Sequence, residues 1–285
     1  MRWRTGRRSQ NVEDRRGIRL TRGATGGGLG IIVVALIAMY FGVDPSIVLQ
    51  QGTPTSQVTP GPSGSQQRTP EEEQLADFVS VVLADTEDTW RALFPKLGET
   101  YRDPTLVLFS GAVQSACGFA QAAVGPFYCP ADHKVYIDLG FYQDLRERHG
   151  APGDFAQAYV VAHEIGHHVQ NLLGISDKVQ ARRARVGEAE SNELSVRQEL
   201  QADCLAGIWG YHANRARNIL EAGDLEEALN AASSIGDDRL QRQARGYVTP
   251  ESFTHGSSEQ RVRWFRRGIE TGDIKACNTF EVEQL

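Results

Sequence analysis

"VAHEIGHHVQ", residues 161–170, sets three histidines and a glutamate among apolar neighbours. On a helix turning about 100° per residue, His163 and His167 stand one turn apart on a single face, with Glu164 at its edge. This is H-E-x-x-H: two imidazoles able to share a metal ion, and a carboxylate beside the water that the ion would hold. His168 falls about 140° around from His163. It lies nearer Val161, Ile165 and Leu172, so it is expected to face the core rather than the metal. Gly166, in mid-helix, costs about 1 kcal/mol relative to alanine, which suggests a second element approaching closely at that point.

Two histidines do not complete a catalytic zinc site, which usually takes three protein ligands and a water. "RQELQADCLAG", residues 197–207, carries Glu199 and Asp203 four apart, hence on one helix face. The flanking run (Leu200, Ala202, Cys204, Leu205, Ala206, Ile208, Trp209) is too apolar to be fully exposed, and buried carboxylates need partners. Glu199 is therefore the expected third ligand. Asp203 is expected to accept a hydrogen bond from a ligand imidazole and so orient it. His/His/Glu ligation suits zinc and several other divalent transition metals.

The 285 residues leave room for one substantial domain with appendages. Residues 1–25 hold eight arginines against Glu13 and Asp14, a net +6 against −12 for the remainder. An acidic remainder argues against nucleic acid as a partner. The apolar run "GGGLGIIVVALIAMYFGV", residues 26–43, is uncharged over eighteen positions. At about 1.5 Å per residue it spans roughly 27 Å, enough to cross a bilayer core. The expectation is a single-pass signal anchor at 26–43, an arginine arm (1–25) held in the cytoplasm, and the remainder outside it. Residues 44–69, rich in Pro, Gly, Ser, Thr and Gln, read as a tether.

Residues 70–285 read as an α+β domain, mostly helical with a small sheet. Thr69 fits an N-cap, with Pro70 in the first turn and Glu71–Glu73 at the positive end of the dipole. Apolar periodicity predicts helices over about 70–94, 140–148, 154–173 (ended by Gly174), 186–215, 224–232, 235–245 and 258–270. Ser257 and Gln260 have capping-box spacing before the last. "TLVLF" (105–109) and "KVYID" (134–138) read as strands. The second is a candidate edge that an extended peptide could join by β-addition. An exported domain with four cysteines suggests two disulfides. Of three connectivities, Cys117–Cys129 with Cys204–Cys277 is preferred, because the first pair closes a short loop containing Gly118, Gly125 and Pro126.

HEIGHH followed by ELQAD resembles the gluzincin pattern, H-E-x-x-H with a later E-x-x-A-D. The chain is similar, more closely, to the bacterial neutral zinc metallopeptidase family, over "SACGFAQAAVGPFYCPADHKVYID", "VVAHEIGHHVQNLLG", "RQELQADCLAGIW" and "FTHGSSEQRVRWF". The resemblance implies a zincin-like domain behind one membrane anchor, His163, His167 and Glu199 as ligands of one Zn²⁺, and Glu164 as the catalytic base. Zinc-assisted hydrolysis of a peptide or protein substrate needs a further electrophile for the developing oxyanion. His255, just before the last helix, is the candidate, with Arg261 and Tyr247 behind it. The competing reading is a zinc-stapled scaffold of the cell envelope that binds without cleaving. Such a site would normally be closed by four protein ligands.

Overall fold

The computed structural model describes residues 1–18 and 68–285. A four-stranded sheet is built from β1 (Val12–Asp14), β2 (Thr105–Phe109), β5 (Phe127–Cys129) and β6 (Lys134–Asp138), in the order β1-β2-β6-β5. β1 and β6 flank β2 in parallel, and β5 runs antiparallel to β6. Strands β3 (Ala112–Ser115) and β4 (Gly118–Gln121) form a separate hairpin. TLVLF is apolar without alternation because both of its faces are covered. Leu106 and Leu108 enter the main core, while Val107 and Phe109 join Val113, Cys129 and Tyr136 in a smaller one. β6 is thus an internal strand, paired on both sides, and not the edge for which KVYID was a candidate; the edge beside it is β5.

The helices are α1 (Pro70–Leu93), α2 (Gly140–Glu147), α3 (Asp154–Leu172), α4 (Ile175–Arg183), α5 (Glu188–Arg217), α6 (Asp224–Ser234), α7 (Asp237–Arg245) and α8 (Ser258–Thr271). Both expected capping boxes form, Thr69 with Glu72 and Ser257 with Gln260. α3 stops where Gly174 adopts a left-handed φ of 67°, which costs glycine little. α3 lies at the centre, packed against α1, α5, α6 and the β5–β6 side of the sheet, with α8 clamped on α5. Two disulfides fix this arrangement, Cys117–Cys129 joining the β3–β4 turn to the end of β5 and Cys204–Cys277 joining α5 to the segment after α8. They follow the expected pairing.

The largest departure is at the N-terminus. Residues 1–16 are part of the domain rather than an arm apart from it. Trp3 is buried edge-on against Phe78, and β1 adds a strand to the sheet. The arginines answer acids of α1: Arg7 pairs with Glu87 and Asp88, Arg8 with Asp77, and Arg16 with Glu73 as well as Asp14. Glu87 is fully buried, and Ser9 Oγ (2.5 Å), Asn11 Nδ2 (2.8 Å) and Arg7 (2.8 Å) donate to it. Without residues 7–11 that carboxylate would be an uncompensated buried charge. A single bilayer crossing between residues 16 and 68 would part β1 from β2, so an arm inside and a domain outside does not fit this fold. The expected anchor (26–43) and most of the tether lie outside the described residues. Among the described residues no helix is long and apolar enough to cross a membrane.

Candidate metal centre

α3 and α5 cross at Gly166. A Cβ there would meet Ala202 of α5, at 2.8 Å from its carbonyl oxygen and 3.0 Å from its Cα. Ala202 lies between Glu199 and Asp203, so the close approach permitted by glycine carries both carboxylates to the histidine face. His163 Nε2 lies 3.1 Å from Glu199 Oε2, and His167 Nε2 lies 3.4 Å from Glu199 Oε1. One ligand atom from each of the three residues falls within 4.8 Å of the others. Two atoms bound tetrahedrally at about 2.1 Å would stand roughly 3.4 Å apart, so these spacings suit one zinc-sized ion.

The outward nitrogens agree. His163 Nδ1 donates to Asp203 Oδ1 at 2.8 Å, and His167 Nδ1 donates to Gln170 Oε1 at 2.9 Å. Gln170 Oε1 is the acceptor because its Nε2 donates to Gln198 O (2.7 Å) and Gln201 Oε1 (3.0 Å). Both rings therefore turn Nε2 toward Glu199, the orientation that outer partners impose on ligand imidazoles. Three carboxylates (Glu164, Glu199, Asp203) lie within reach of the charge of one buried guanidinium, Arg261, which pairs directly with Asp203. Their charge shifts both histidines toward the protonated form. Burial lowers the basicity of His163, but the Asp203 charge and hydrogen bond, with Glu199 behind them, raise its pKa to about 10. Burial opposes ionisation of Glu199, yet the His167 charge and the hydrogen bonds of both histidines hold its pKa well below the usual carboxylate range. The negative charge that raises the histidine pKa values would also attract a metal cation, which must displace those protons to bind.

Glu164 is buried, and burial raises its pKa despite the neighbouring histidines. Among the described residues no donor reaches its oxygens, which leaves it available as a proton acceptor. His168 is fully buried on the opposite side, accepting from Tyr128 OH (3.0 Å) at Nδ1 and donating to Arg102 O (2.6 Å) from Nε2. Burial pushes its pKa down to about 4. It is a core histidine, as its helical angle implied.

His255 approaches from the loop before α8. Asp237 Oδ2 accepts the backbone N–H groups of Thr254 (2.8 Å), His255 (2.6 Å) and Gly256 (3.0 Å). Asp237 Oδ1 lies 3.3 Å from His255 Nδ1. The ring is 51% exposed, yet near enough to Glu199 for their charges to act on each other. Crowding lowers the pKa of His255, and the Asp237 bond with the Glu199 charge raises it by more. The two lesser candidates do not face a substrate from this position. Arg261 is buried and bound to Asp203, and Tyr247 lies on the surface against Arg245. Sequence reasoning missed Gln170, Asp237 and Tyr159. Gln170 and Tyr159 stand three and four residues from the ligands His167 and His163, a spacing that could have flagged them. Asp237 had no such signal.

The profile of a family described as "Putative neutral zinc metallopeptidase" matches residues 1–280. The chain belongs to that family. The match includes residues 1–16, consistent with their place in the fold. The uncharacterized protein YpfJ of Escherichia coli K12 is 53% identical over 291 residues, covering 98% of this chain and 99% of the relative. The uncharacterized protein Rv2575 of Mycobacterium tuberculosis H37Rv is 43% identical over 260 residues, covering 87% and 86%. No solved structure matches the chain.

Proposed function

We propose that this member of the neutral zinc metallopeptidase family is a working zinc peptidase held at a membrane by the apolar stretch 26–43, with the chain before and after that stretch on one side of the bilayer. One observation carries the reading. His163, His167 and Glu199 supply three ligand atoms, and the buried carboxylate of Glu164 lies beside them rather than among them. A structural zinc site would normally be closed by a fourth protein ligand. An ion held there supplies Lewis acidity, which acidifies water and polarises a carbonyl.

The side chains do the rest. Glu164 takes a proton from the attacking water and passes it to the leaving amine nitrogen. Its raised pKa suits a group that must hold that proton in transit. Asp203 and Gln170 keep the two imidazoles in register. His255, steadied by Asp237, donates a hydrogen bond to the carbonyl oxygen as negative charge builds on it. An extended peptide would add to the free edge of β5, next to α3. Two disulfides suit an oxidising compartment, so we place β1 and the domain together outside the cytoplasm.

The test uses the full chain in detergent, loaded with zinc and incubated with casein, with new amino termini counted over time. Cleavage that a chelator abolishes, zinc restores and Glu164→Gln lacks is expected. A zinc-loaded parent that cuts nothing, or a Glu164→Gln protein that cuts as fast, would overturn the reading.

A further inference from the structure

Asp203 is the most heavily engaged carboxylate of the site. Oδ1 accepts from Tyr159 OH (2.5 Å), His163 Nδ1 (2.8 Å) and Arg261 Nη2 (3.0 Å), and Oδ2 accepts from Arg261 Nε (2.9 Å). Asp203 is fully buried and Arg261 nearly so, at 2% exposure. An ionised carboxylate only accepts hydrogen bonds, and here four reach it, three on Oδ1 and one on Oδ2. Asp203 can then only accept from His163, so His163 must donate from Nδ1 and turn Nε2 toward Glu199. The guanidinium grips both oxygens and so fixes the carboxylate plane, which a single donor would leave free to rotate.

We propose that Arg261 is a positioning residue for the metal centre: through its two-pronged hold on Asp203 it aims His163 Nε2, and so sets the affinity and geometry of the bound ion. The proposal rests on the metal site argued above and extends it to a residue that reaches neither metal nor substrate. The fold is built to deliver this side chain. At Gly268, two turns after Arg261, an added Cβ would strike the Cys204 carbonyl, and one at Gly207 would strike the Phe265 carbonyl. α8 and α5 therefore touch backbone to backbone, and the Cys204–Cys277 disulfide ties the same region. That contact brings Arg261 to Asp203 across 58 residues of sequence. Tyr159 and Arg261 also bond each other (3.1 Å), which joins α3, α5 and α8 at one buried point.

The experiment compares the full-length parent with Arg261→Lys and Arg261→Met. Zinc affinity is read by competition with a chromophoric chelator, and the visible d–d spectrum is recorded after cobalt substitution. Arg261→Lys retains the charge and loses the fork, so it separates aim from charge even where Arg261→Met, which strands a buried carboxylate, fails to fold. Loss of an outer partner costs about 10- to 100-fold in metal affinity. We expect Arg261→Lys to lose about tenfold, with altered cobalt bands in a protein of native circular dichroism. Lysine binding zinc as tightly as the parent with unchanged bands would overturn the proposal. A parent that binds no zinc would instead sink the metal site itself, a separate result.

Discussion

Gly166→Ala puts the packing account at risk through a single methyl group. In an open helix the change would stabilise by about 0.5–1 kcal/mol, because glycine is the poorer helix former. Here the new Cβ would stand 2.8 Å from the Ala202 oxygen, 3.0 Å from its Cα and 3.2 Å from its Cβ. Two of those atoms are backbone of α5, with no rotamer to escape into. The helices must separate by roughly 0.5 Å to reach ordinary van der Waals separation. Overpacking of this kind costs typically 1–3 kcal/mol. Set against the helix gain, the net is a destabilisation of up to about 2.5 kcal/mol, with a mid-range value of about 1 kcal/mol. The same separation moves Glu199 away from His163 and His167 by more than the about 0.2 Å that ligand distances tolerate, so zinc affinity should fall by about tenfold. Urea unfolding and chelator competition measure the two effects on one preparation. Gly187→Ala is the control, since no atom lies within 4 Å of that position and its φ is −73°; as an N-cap change it should cost up to about 1 kcal/mol and leave zinc affinity unchanged. A Gly166→Ala protein at least as stable as the parent, with zinc held as tightly, would refute the claim that close approach at Gly166 builds the site.

Three further outcomes follow from the same contacts. Trp3→Ala should cost about 3 kcal/mol in urea unfolding, the low end for a buried tryptophan, and a cost under about 0.5 kcal/mol would return residues 1–16 to the status of a loose arm. If β1 and the domain share one side of the membrane, cysteines introduced at the exposed Thr5 and Glu259 should respond alike to an impermeant maleimide in intact cells; labelling of only one contradicts the shared side. Burial works against ionisation of Asp237, but the His255 bond and charge and the backbone donors of His255 and Thr254 depress its folded pKa below its ordinary value. A depressed carboxylate pKa stabilises fully above the unfolded value, near 3.9, and its contribution fades as pH falls through the folded value. Asp237→Asn should therefore cost about 2 kcal/mol at pH 7, with the gap to the parent closing below about pH 4; a gap that stays constant to pH 3 counts against the assignment.

The legible parts of this chain were those in which partner residues lie within a turn or two of each other. His163, Glu164 and His167, and again Glu199 and Asp203, are fixed by helical geometry alone, and a glycine out of place marked where the two helices meet. Caps at Thr69 and Ser257 and the apolar periods located the long helices. β3, β4 and β5 are only three or four residues each, too short for alternation to register. The arginines of residues 1–16 misled because their acids lie about 60 to 80 positions away on α1, and nothing local distinguishes a paired arginine from a solvated one. Arg261 and Asp237 belong to the same class. Their roles exist only once α8 has docked on α5 and α7 has reached the loop before α8.

The central claim is that three side chains from α3 and α5 hold one metal ion. The direct measurement is elemental analysis of the purified full-length chain beside a Glu199→Ala copy, after zinc has been offered to both and excess removed. The full chain matters, because a cut at residue 69 would remove β1 and Trp3 from the domain. The account predicts one zinc per parent chain and loss or marked weakening in the variant. A well-folded parent that retains no metal, or a variant that retains it as tightly, would contradict it.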